Sequence, residues 1–181
     1  MKTLMIAAAI VCAAVATQAA SINWIQTASE MYDTTPEQNT IDGTAVYLIL
    51  SDTISMDNLV KGMTADYEST VSGYSAAEST VARGMIEAYG VEATKTLTEG
   101  KNAYFVLFDN GNMYVSDETF IGYNDFDRVY EIEFGEQNTL DPVMNAGEGY
   151  NGQGWYNVPE PTSGLLLLLG VAGLALRRRR A

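Results

Sequence analysis

Ala103-Tyr104-Phe105-Val106-Leu107-Phe108-Asp109, then Asn110-Gly111, then Asn112-Met113-Tyr114-Val115-Ser116 is the stretch that decides the fold. Two runs of aromatic and β-branched residues flank an Asn-Gly pair, whose members both accept positive φ at little cost, as a type I′ turn requires. The stretch reads as a β-hairpin. Upstream, Thr44 to Ser51 is a short, almost continuous apolar run bounded by Asp42-Gly43 and Asp52, which predicts a buried strand. Ile22, Trp24 and Ile25 predict a first strand, ahead of a break at Thr34-Thr35-Pro36. Downstream, Tyr130, Ile132 and Phe134 alternate with Val129, Glu131 and Glu133, so Arg128 to Phe134 predicts a strand with one dry and one wet face.

Ser55 is placed to cap a short helix running to Met63, with Asp57 in its first turn and Met56, Leu59, Val60 and Met63 at helical spacing. Between Ala65 and Val91, Ser, Thr and Gly interrupt every period. The expectation there is helix or loop to about Glu78 and a strand over Val81 to Ala88. After Asp141-Pro142, residues 145–157 are rich in Gly and Asn and read as a flexible spacer. The fold class is therefore mainly β: a single antiparallel β-sandwich-like domain over residues 20–144 with one or two short helices. An α+β arrangement is the alternative.

The two ends read as targeting segments. Met1-Lys2 and the apolar run Leu4 to Val15 form a secretory signal peptide over residues 1–19, and the small residues Thr17 and Ala19 place cleavage after Ala19. Cys12 lies inside that run behind Val11, not behind the small residue a lipid-attachment site needs. At the other end, Val158-Pro159-Glu160-Pro161 precedes the apolar stretch Gly164, Leu165, Leu166, Leu167, Leu168, Leu169, Gly170, Val171, Ala172, Gly173, Leu174, Ala175 and Leu176. Arg177, Arg178, Arg179 and Arg180 follow at once. A helix over 163–176 would be about 20 Å long and thin for a bilayer core of about 30 Å. The arginines stay on the cytoplasmic side, so the tail halts export with the domain outside.

This arrangement over residues 158–181 resembles the PEP-CTERM sorting signal of Gram-negative bacteria. The resemblance implies recognition by an exosortase, a membrane-embedded cysteine transpeptidase, and cleavage near the Pro-Glu-Pro motif. In those terms Val158, Pro159, Glu160 and Pro161 are the sorting motif, Gly164 to Leu176 a temporary membrane anchor, and Arg177 to Arg180 the retention signal. It implies nothing about what the central domain does. A plain anchor that is never cut predicts the same apolar-plus-arginine pattern, and the Pro-Glu-Pro alone separates the two.

Between residues 21 and 158 there are 22 acidic and 5 basic residues, a net charge of −17. Such a surface repels polyanions, which argues against nucleic acid as a partner, because that affinity comes largely from cations on phosphates. With Cys12 removed in the leader, the domain has no cysteine and no disulfide. No His is present, which closes Ser-His and Cys-His nucleophiles and zinc sites built on His or Cys. No Ser lies three residues before a Lys, and glycine-rich phosphate loops are missing.

The remaining chemistry is thin. Asp109-Asn110-Gly111-Asn112 and Asn124-Asp125-Phe126-Asp127 gather oxygens, but neither fits an EF-hand, and no metal or cofactor is assigned. Tyr123, Tyr150, Trp155 and Tyr156 are candidates for stacking on sugars. The expectation is an exported, non-enzymatic structural or adhesive protein of the cell surface or extracellular matrix. Its partners would be signal peptidase, exosortase, transiently the membrane, and exopolysaccharide. The alternative is an exported carbohydrate-binding or carbohydrate-active domain using two carboxylates.

Overall fold

A computed structural model describes residues 19–64, 66–140, 144–145 and 154–158. Among the described residues the protein is mostly β, with two sheets and two helices. The smaller sheet has four strands: β1 (Ser21–Gln26), β4 (Ile86–Glu92), β8 (Gly122–Asn124) and β9 (Val129–Phe134), in the order β4-β1-β9-β8. The larger contains β2 (Ala45–Leu50), β3 (Ser75–Thr80), β5 (Asn102–Asp109), β6 (Asn112–Val115), β10 (Met144–Asn145) and β11 (Gly154–Asn157), in the order β10-β11-β6-β5-β2-β3. A two-residue strand, β7 (Thr119–Phe120), pairs with the start of β5. Pairing is antiparallel except between β1 and β9 and between β10 and β11. The antiparallel sandwich expected from the sequence is the architecture found.

The centre of the larger sheet is dry on both faces, which explains why β2 and β5 read as almost unbroken apolar runs. Val46, Leu48 and Leu50 with Ala103, Phe105 and Leu107 point at the smaller sheet, where they meet Ile22, Trp24, Ile86, Ile132 and Phe134. The alternate residues Tyr47, Ile49, Tyr104 and Val106 point the other way, onto Leu59, Val60, Met63, Tyr67 and Val71. Those five come from α1 (Met56–Lys61), α2 (Tyr67–Tyr74) and the turn between them. The result is three layers around two cores, with strand periodicity dividing each strand between them.

Ser55 caps α1 as expected, accepting the Asn58 N–H on its hydroxyl, and Lys61 pairs with Asp57 one turn back. Short helices are marginal in water, so these two are held by tertiary contacts. The Tyr67 hydroxyl donates to the Leu59 carbonyl, Tyr104 Oη to the Ile54 carbonyl at 2.9 Å, and Tyr47 Oη to Glu68 Oε1 at 3.1 Å.

The expectation of helix or loop to about Glu78 holds only as far as α2, because the chain enters β3 at Ser75, where pairing with β2 overrides its weak strand sequence. Two more expectations need correction. The strand over Val81 to Ala88 is interrupted: Ala82 and Met85 close a tight turn with Arg83 at φ 53° and Gly84 at φ 73°, and only from Ile86 does the chain run as β4. This turn carries the chain from the edge of the larger sheet to the edge of the smaller one. Arg is an unusual occupant of a left-handed position, so the signal was hidden. Its N–H is held by Asp42 Oδ1 at 3.0 Å. The second correction falls on the spacer over 145–157. Gly154–Asn157 is a strand inside the larger sheet, with Trp155 and Tyr156 fully buried.

Gly84 packs where a side chain has no room, since a Cβ there would lie 2.8 Å from the Met31 nitrogen and 2.8 Å from Thr40 Cγ2. Gly43 has the same backbone hand at φ 72° and open space around it. Gly43→Ala should therefore cost about 1–2 kcal/mol from backbone conformation alone. Gly84→Ala should cost about 1–3 kcal/mol more through overpacking. Paired thermal melts of the two variants check the difference.

Candidate functional site

The C-terminal end of the domain is built by β11. Its residues pair in register with β6: Gly154 opposite Val115, Trp155 opposite Tyr114, Tyr156 opposite Met113 and Asn157 opposite Asn112. On its other side lies β10, with Met144 opposite Tyr156 and Asn145 opposite Asn157. Alternation sends the two aromatics into different cores. Trp155 enters the space between the sheets, its ring centroid 5.3 Å from that of Tyr114, and its indole N–H donates to the Thr139 carbonyl at 2.8 Å. Tyr156 enters the helix-side core, with Val158 partly buried against the same cluster.

The strand is also tied at its end. The Val158 N–H donates to the Gly111 carbonyl at 3.2 Å, which fastens the first residue of the sorting motif to the Asn110-Gly111 turn. That turn has φ 47° and φ 77° at its two residues, the positive values its sequence predicted. Pro159 follows Val158 directly. Pro159, Glu160, Pro161, the apolar stretch Gly164–Leu176 and Arg177–Arg180 lie outside the described residues. Among the described residues no helix is long and apolar enough to cross a membrane. At the other end, Ala19 is exposed, and the Ala20 carbonyl accepts from the Ala93 N–H at 2.8 Å just before β1 begins.

A groove of about 630 Å³ opens where the chain leaves β1 and β9. Glu30 and Glu136 line it with Ser29, Tyr32, Gln137 and Thr139. Its floor is laced together: the Gln137 N–H donates to Ser29 Oγ at 3.0 Å, and the Tyr32 N–H to Thr139 Oγ1 at 2.7 Å. Tyr32 Oη donates to Glu30 Oε2 at 3.0 Å, and that hydrogen bond and the Glu30 charge push the phenol's pKa upward. Beneath it the buried Gln26 amide donates to Ser29. The groove thus brings two carboxylates to one opening, a pairing that sequence reasoning did not single out because the two are 106 positions apart among many acids.

The other sequence candidates separate. Trp155 and Tyr156 are core residues and unavailable for stacking on sugars, and Tyr150 lies outside the described residues. Tyr123 is 37% exposed and rests on Tyr130, ring centroids 4.9 Å apart. The Asn124 side chain closes its own turn, accepting from the Phe126 and Asp127 N–H groups at 3.0 and 3.2 Å. Among the described residues no three His, Cys, Asp or Glu side chains gather as a metal site.

Residues 157–180 match the family model of the PEP-CTERM protein-sorting motif. No curated protein and no solved structure matches the chain. The motif indicates an exported protein, anchored in the membrane before processing and sorted by an exosortase.

Burial pushes the Tyr156 hydroxyl up to about 12. Burial, aided by the Glu68 and Glu78 carboxylates, pushes Tyr47 up to about 12 as well. An unfolded chain releases these protons near pH 10, whereas the folded one keeps them, so folding binds extra protons between the two values. Their contribution to stability should be complete below pH 10 and lost as pH climbs towards 12. Thermal melts across that window, with phenolate absorbance read in parallel, check the sign; a midpoint unchanged by alkali would contradict it.

Proposed function

We propose that this protein is a non-enzymatic structural or adhesive component of the cell surface or extracellular matrix, delivered there by its sorting tail. The observation that carries the reading is the union of a sorting motif with a domain whose aromatic residues are mostly spent on two cores. Leu140, Phe120 and Phe126 are exposed, but as single residues in separate segments, and isolated exposed apolar residues are ordinary. The wet face of the smaller sheet carries Glu87, Glu131 and Glu133, which suits a solvated exterior. Exopolysaccharide is the matrix partner this setting suggests.

A second reading is supported by one observation, the shared opening of Glu30 and Glu136. Two carboxylates suffice for glycoside hydrolysis when they face each other at about 5–10 Å. The groove is open and its acids compete with many others on an acidic surface, so the structural role is preferred.

Two measurements decide. Deleting residues 159–181 should shift the protein from the membrane and cell-surface fractions to a soluble exported form, as fractionation of the native host would show; an unaltered distribution would sink the sorting role. Incubated with exported polysaccharides, the purified protein should release no more reducing ends than its Glu30→Gln/Glu136→Gln variant. Release that depends on those two acids would establish the hydrolase instead.

A further inference from the structure

The residues just upstream of the Pro-Glu-Pro motif are all committed to the fold. Trp155 and Tyr156 are buried on opposite faces of the larger sheet, Asn157 is paired with Asn112, and Val158 is bonded through its N–H to Gly111. β10 covers the other side of the strand, so β11 is not an edge. A processing enzyme binds its substrate in extended form and engages residues on both sides of the bond it attacks. Upstream of Pro159, those residues are already held in the sheet, with Trp155 and Tyr156 buried and only the Asn157 side chain facing solvent.

We infer that β11 must leave the larger sheet before the exosortase can engage the sorting motif, so that processing samples the population in which this strand is open. The inference rests on the exosortase reading of the tail. Cleavage of a locally opened segment follows the equilibrium share of the open form when reclosing is fast. The folded domain then acts as its own governor of release: the tighter β11 sits on β6, the longer the precursor stays anchored. No linker separates the two, because Val158 is both the residue bonded to the hairpin turn and the first residue of the motif.

The geometry offers a direct lock. The bond from Val158 to Gly111 brackets the Asn157–Asn112 pair from outside, which makes it a non-hydrogen-bonded pair of an antiparallel ladder. Such pairs have Cα atoms about 4.5 Å apart, within the range a disulfide spans. The chain's one cysteine, Cys12, lies in the leader, so an added pair has no competitor in the exported domain.

The test follows tail loss by intact mass in the native host for four full-length forms. Asn112→Cys/Asn157→Cys, oxidised on export, should lose its tail at least about tenfold more slowly than the native chain. Asn112→Ser/Asn157→Ser should keep the native rate. Eight Gly/Ser residues inserted between Val158 and Pro159 of the cysteine pair should restore processing while the disulfide stays closed. A cysteine pair processed at the native rate, a serine control as slow as the cysteine pair, or a linker that restores nothing would each overturn the inference while leaving the sorting role intact. A native chain that never loses its tail would end both.

Discussion

The centre of the larger sheet, β2 and β5, is closed to water on both faces, and the rest of the architecture answers to that condition. Strands sealed twice need a second sheet on one side and a helical layer on the other, and must supply apolar residues at nearly every position. β2 and β5 do so, with Val46, Leu48, Phe105 and Leu107 facing one way and Tyr47, Ile49, Tyr104 and Val106 the other. The smaller sheet, covered on one face only, can afford the alternation of Ile132 and Phe134 with Glu131 and Glu133. Polar atoms inside are mostly provided for. The Phe105 N–H finds Ser116 Oγ at 2.9 Å where the ladder breaks between β6 and β7, and on the helix side the Tyr47, Tyr67 and Tyr104 hydroxyls reach carbonyls or a carboxylate. Trp24 Nε1 and Gln26 Oε1, two residues apart on β1, are buried without a hydrogen-bond partner among the described residues.

This sealing also accounts for how an exported domain without a disulfide holds together. Its surface is strongly acidic, and like charges on a compact body repel. The Lys61–Asp57 pair on α1 is exposed and contributes only about 0.2–0.5 kcal/mol. The counterweight is aromatic and aliphatic burial: Trp24, Phe105 and Phe134 meet edge to face, with Phe105 and Phe134 centroids 5.0 Å apart.

Much of this was legible in the amino-acid order. The Asn110-Gly111 hairpin, the β2 run, the Ser55-capped helix and the alternating β9 all carry local chemistry that names their structure without help from the rest of the chain. What escaped was set by distant partners. The weak sequence Tyr67-Glu68-Ser69-Thr70-Val71-Ser72-Gly73-Tyr74 left helix and loop undecided, and α2 exists because Tyr67 and Val71, one turn apart, are drawn under the sheet, while β3 beyond it is a strand only by pairing with β2. β11 sits in a Gly- and Asn-rich stretch whose composition says spacer, and only Tyr114 and Thr139 turn Trp155 into a core residue. The tail was readable for the opposite reason: its order of prolines, leucines and arginines is a linear address that requires no fold.

The two tryptophans, Trp24 and Trp155, share one core, the seam between the sheets, while the helical layer holds tyrosines and none of the indoles. Indole emission from this molecule is therefore a private window on that seam. Shedding α1 and α2 would pass nearly unseen by it, whereas parting the two sheets would flood both chromophores with solvent at once. One of them donates to a carbonyl and the other to no group among the described residues, so even in the native state the pair glows from two unlike surroundings.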